Sequence, residues 1–180
     1  MKQQLAHLDL YVRLRRIGKI LNDTVPEAGT GLVSLQSTSA LVLEYVGQHN
    51  LSKAGALLRT AIREHPLWLR GYLSLALLYE HQGRARRAVQ VLERGIRRCQ
   101  LRLSTLARQT SIQMIRDESD GEAGARFHRQ VAFISRYRQI LQHQRAQILV
   151  ASGYLEKALE TWTEQRPSYY VQEYEQGRED

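Results

Sequence analysis

The sequence predicts an all-α chain, a short solenoid of antiparallel helix hairpins with a capping helix at its amino-terminal end. Three observations lead there. Aromatic residues make up 7% of the 180 residues, with only twelve Gly and three Pro, while Leu, Ala, Gln and Arg recur throughout, and that mixture favours helix over sheet. The chain also resembles itself at an offset of 34: Leu41, Leu43, Tyr45, Ala54, Leu58 and Ile62 are followed by Leu75, Leu77, Tyr79, Ala88, Leu92 and Ile96. Finally, Leu69, Tyr72, Leu75, Ala76 and Tyr79 recur by threes and fours, the spacing of one buried helical stripe. A two-helix unit stacked on copies of itself needs small residues where helices approach, as at Ala54 and Ala88, and large ones where they leave space, as at Leu58 and Leu92.

Residues 1–31 read as an amino-terminal helix, Gln3 to Leu21, and a connecting loop. The first repeat spans 35–68. It turns at Gln48-His49-Asn50, Ser52 stands where a helix cap is wanted, and Pro66 marks the passage to the next helix. The second repeat, 69–102, breaks at Gln82-Gly83, where glycine supplies the turn conformation, and resumes from Ala85 to Arg98 with Ala88, Val89, Leu92 and Ile96 inward. Residues 103–138 have no counterpart at the repeat offset and read as inserted or degenerate helices. Within them Asp117 to Gly124 is a polar, acidic linker that lacks the ligand spacing of a calcium loop. A degenerate third repeat, 139–167, follows because Ala76, Gly83 and Ala88 meet Ala146, Gly153 and Ala158 at an offset of 70. An acidic tail, 168–180, contains Tyr169, Tyr170 and Tyr174.

The segment Leu75-Ala76-x-x-Tyr79, Gly83, Ala88 and Leu92 resembles the tetratricopeptide repeat. Leu41, Tyr45, Ala54, Leu58, Ala61 and Pro66 match in the first unit, with Val42 and His49 where the family has a small residue and Gly. The resemblance implies a right-handed TPR-like array whose concave groove is lined by the first helix of each hairpin. Carried over residue by residue, the groove falls at Gln36, Ser39, Leu43, Val46, Arg70, Leu73, Leu77, Glu80 and His81. The lysine and asparagine with which some members clamp chaperone carboxyl-terminal tails would stand at Ser39 and Leu43, so that clamp is missing. What the resemblance implies is a non-catalytic adaptor, scaffold or chaperone-like module that takes a partner protein segment through apolar anchors, with Arg70 and Glu80 setting its register. The groove filled by the amino-terminal helix or the insertion is the alternative.

Charge and chemistry narrow the classes further. Residues 1–116 hold 18 basic and 7 acidic side chains and 117–180 hold 8 and 11, so the two parts carry +11 and −3. The front part attracts acidic surfaces. Arg84, Arg86, Arg87, Arg94, Arg97, Arg98 and Arg102 form a basic patch, which keeps a nucleic-acid-binding array, or an accessory subunit of a larger complex, open as alternatives. Cys99 is the only cysteine, so neither an intrachain disulfide nor a cysteine zinc cluster can form. No signal h-region or membrane span is legible, and the expected compartment is the cytoplasm. No phosphate loop, zinc-protease or nucleophile motif is present, and the six histidines lack metal-ligand spacing. The chain is therefore expected to be no enzyme and to need no cofactor or metal; its oligomeric state is left open.

Overall fold

The computed structural model describes residues 2–22, 31–114 and 121–163, all in helices or the short turns between them, with no strand among the described residues. The helices are α1 (Lys2–Asn22), α2 (Gly31–Gly47), α3 (Leu51–Glu64), α4 (Leu69–His81), α5 (Ala85–Met114), α6 (Gly121–Ala151) and α7 (Leu155–Thr163). Neighbours in sequence pack on each other from α1 to α7, and two further pairings, α1 on α4 and α4 on α6, join non-consecutive helices. The core runs through α1 to α6, from Leu10 and Leu14 through Leu58, Tyr72, Leu78 and Leu92 to Leu141 and Ile148, and α7 buries Ala158 and Thr161 at its end.

Three turns share one geometry. His49, Gly83 and Gly153 all have positive φ, at 59°, 71° and 80°. Behind each, a backbone N–H reaches back five residues: Asn50 to Tyr45, Arg84 to Tyr79 and Tyr154 to Leu149, at 2.8, 2.8 and 2.9 Å. This bond pattern closes a helix whose next residue is left-handed. Glycine adopts that conformation without strain, whereas His49 holds it at a cost of about 1–2 kcal/mol. The same three offsets place fully buried alanines at Ala54, Ala88 and Ala158 on the outgoing helices.

The cap of α3 is Asn50 rather than Ser52: its side-chain oxygen accepts the Lys53 N–H at 3.2 Å. The expected boundary between the second repeat and the inserted segment does not exist as a break. α5 runs for 30 residues and α6 for 31, against 14 for α3 and 13 for α4. Residues between Cys99 and Met114 therefore prolong the outgoing helix of the second unit, and Gly121 onward prolongs the incoming helix of the third. No Gly or Pro interrupts either continuation near its expected end. Residues 121–124 of the acidic linker are helical, while 117–120 and the 168–180 tail lie outside the described residues.

Candidate partner-binding face

The face lined by α2 and α4 is occupied by α1. Its inward residues Leu10 and Leu14 are buried to 2% and 3% exposure. Leu14 meets Ser39, Leu43, Trp68, Arg70 and Ser74 around a small gap. Four residues earlier on α1's inward side than Tyr11, His7 directs Nε2 at the Val46 carbonyl oxygen, 2.6 Å away at the end of α2. Arg13 donates to the Glu80 carboxylate at 3.2 Å, and Gln144 from α6 donates to the same oxygen at 3.4 Å. Glu80 thus ties α1, α4 and α6 at one point.

Burying two leucines is worth about 1.5–3 kcal/mol each. A partly exposed ion pair such as Arg13–Glu80, whose side chains are 38% and 27% exposed, gives at most about 1 kcal/mol. Apolar contact therefore holds α1 in place, and the ion pair fixes its register along the face.

Three histidines meet at the end of this seam. The His7 ring stacks on His49 with centroids 4.0 Å apart and lies edge-on to His81 at 5.4 Å. Burial, reinforced by the nearby His7, holds the His81 imidazole below its usual 6.5, with Asp9 pulling the other way. The His7 and His49 rings are inclined by 29° in this stack, and His7 Nε2 is engaged by the Val46 carbonyl oxygen. Among the described residues no group of three His, Cys, Asp or Glu side chains is placed to hold a metal.

The positions carried over from the repeat resemblance divide into three groups. Val46, Leu73 and Leu77 are core, at 0%, 4% and 2% exposure. Ser39, Leu43 and Arg70 surround the gap beneath Leu14, and Glu80 and His81 meet Arg13 and His7 at the far end. Gln36 is exposed. Of the two alternatives for this face, open or filled, the fold has the filled one: α1 of the same chain packs on α2 and α4 and covers most of these positions, burying its own apolar side there. Sequence reasoning missed His7, Arg13 and His49 as members of this site. The signal for His49 and His81 was present, since both stand beside a turn of the repeating unit, on the same edge of the array. Burial lowers the Arg70 guanidinium from its usual value, opposed by Tyr137.

The basic patch lies elsewhere, on α5 and the turn before it. Arg84, Arg86, Arg87, Arg94, Arg97 and Arg98 are exposed and Arg102 is half-buried. Arg98 hydrogen-bonds the Tyr72 hydroxyl, which itself donates to the Pro66 carbonyl at 3.1 Å, and Arg86 pairs with Tyr154, drawing that phenol below its usual range. Cys99 is buried beneath this surface, its thiol pushed up to about 11 by desolvation. No helix among the described residues is long and apolar enough to cross a membrane. No protein-family model matches the chain, and no curated protein or solved structure matches it either.

Proposed function

We propose that the chain is a non-catalytic protein-interaction module, a right-handed α-solenoid of tetratricopeptide type whose α2–α4 face receives an amphipathic helix. The observation that carries this reading is α1 itself. It lies against that face with Leu10 and Leu14 as anchors and Arg13 paired to Glu80, so the face already performs helix-in-groove recognition within the chain. A partner helix with leucines four residues apart and an arginine between them takes the same anchors when it displaces α1. The single buried cysteine fits a reducing compartment such as the cytoplasm.

Capture from extract with the full chain tests this. In a His7→Cys, His49→Cys variant, a crosslink across the two facing positions holds α1 in place. Partners are expected to be retained before crosslinking and lost after it. Equal retention in both states means that the face under α1 is not where partners bind.

One observation favours a second reading, an accessory subunit that docks through its carboxyl-terminal end. Leu155 and Leu159 on α7 lie four residues apart and are 60% and 58% exposed. The mass of the chain in solution, alone and in extract, separates the two readings.

A further inference from the structure

The positive charge of the chain sits on its two longest helices. α5 and α6 together carry twelve arginines against two glutamates, a net +10, whereas the rest of the chain has 14 basic and 16 acidic side chains, a net −2. On α5, Arg87, Arg94 and Arg98 follow one another by seven and four residues and so share one side of the helix. On α6, Arg129 and Arg136 lie seven apart in the same way. All five are exposed, and none shares an ion pair with a carboxylate among the described residues. Charge left unneutralised over a helix pair of this kind costs self-repulsion, which an external polyanion removes.

We propose that the α5–α6 hairpin is a docking arm for duplex nucleic acid, gripping the phosphate backbone without reading sequence. At 1.5 Å per residue the 30 residues of α5 span about 45 Å, the length of about 13 base pairs. Arginine's fork of donors suits phosphate oxygens. Single strands are the poorer fit, because they are held by stacking on exposed aromatic rings. Here Phe127 and Phe133 are partly buried against the core and Tyr137 is buried. A bilayer surface is also the poorer fit. Of the large apolar side chains described on the two helices only Leu101 and Val150 are exposed, too few for the apolar face with which a helix enters the headgroup region. This surface is separate from the α1-covered face, so the proposal stands whether or not that face binds a partner helix.

The test uses the full chain and fluorescence anisotropy with duplex DNA and duplex RNA of about 24 base pairs, titrated from about 50 mM salt upward. Binding is expected to weaken linearly on a log–log plot, with a slope of about −0.9 per phosphate contacted. Arg87→Gln, Arg94→Gln and Arg98→Gln combined should lower affinity at least about tenfold and reduce the slope by about 2–3, with helicity unchanged. Arg129→Gln with Arg136→Gln should do the same to a smaller extent from the other helix. Arg15→Gln with Arg16→Gln on α1 should leave both quantities unaltered. No duplex binding at about 50 mM salt overturns the proposal. So does an unchanged slope in both arm variants, an equal loss from the α1 variant, or retention by vesicles of one-third phosphatidylserine or by polyglutamate but not by duplex.

Discussion

Arg13 and Glu80 are 67 residues apart in sequence and 3.2 Å apart in the fold, and their contact sets where the first helix lies along the second and fourth. Glu80 also accepts from Gln144, so replacing it disturbs contacts among three helices whereas replacing Arg13 disturbs the contact between two. A double-mutant cycle with Arg13→Gln and Glu80→Gln should return a coupling of about 0.5–1 kcal/mol, falling as salt is raised. Denaturant unfolding measures it. A coupling near zero at low salt contradicts the register role given to the pair.

The histidine seam makes stability depend on pH in a definite direction. His81 in the folded chain lies below its free value of 6.5, so the unfolded chain binds the proton more readily. Its contribution is fully present above about pH 6.5 and is lost as pH falls from there towards the lowered folded value. Unfolding curves between about pH 7.5 and 5.5 should show this loss, and His81→Gln should flatten it. Amide exchange in α1 should quicken over the same range in the parent chain. A slope that survives His81→Gln unaltered assigns the effect to other groups.

Gly83 offers a test of the shared turn geometry. An added Cβ there meets nothing within 4 Å, so the cost of Gly83→Ala is conformational alone. It should destabilise by about 1 kcal/mol, measured by thermal or denaturant unfolding. No change would mean that the positive φ of 71° is not held in solution.

The buried alanines should resist enlargement. Ala88 has no exposed surface, so Ala88→Leu should cost about 1–3 kcal/mol through overpacking. Ala56, exposed on α3, is the control, and Ala56→Leu should change stability by less than about 0.5 kcal/mol.

Leu77→Glu separates core from docking surface. At 2% exposure this leucine belongs to the packed interior, and a carboxylate there should unfold the chain rather than merely weaken partner capture. Circular dichroism at room temperature decides between the two outcomes.

Local rules made part of this architecture legible and left part of it hidden. Gly83 and Gly153 announced their turns through glycine's conformational freedom, and the alanines at 54, 88 and 158 announced close packing through their size and spacing. The Asn50 cap was misplaced by two residues because Ser52 is an equally good capping type, and only the three-dimensional path shows which side chain reaches an unbonded N–H. The continuity of α5 through Cys99-Gln100-Leu101 was legible in the lack of a breaker, yet the repeat period argued for a stop there. The placement of α1 was legible only as a choice between capping the array and covering its groove. Its inward side is an ordinary helical stripe, and no property of residues 2–22 says which of several apolar faces it will cover. The repeating turns bring His49 and His81 to one edge of the array, but His7 joins them only because α1 returns to that edge, which no sequence spacing announces.

The distance along the chain between α1 and its resting place has a consequence for how the molecule comes into being. The hairpins close between neighbours, a fast process with little loop entropy to overcome. The first helix finds α2 early but cannot complete its packing until α4 has been made, some sixty residues of synthesis later. During that interval Leu10 and Leu14 lack their α4 neighbours and stand beside the outward-facing Leu5, Leu8 and Val12, so that one helix is apolar on both sides. A holdase that shelters emerging apolar segments would find an opportunity there.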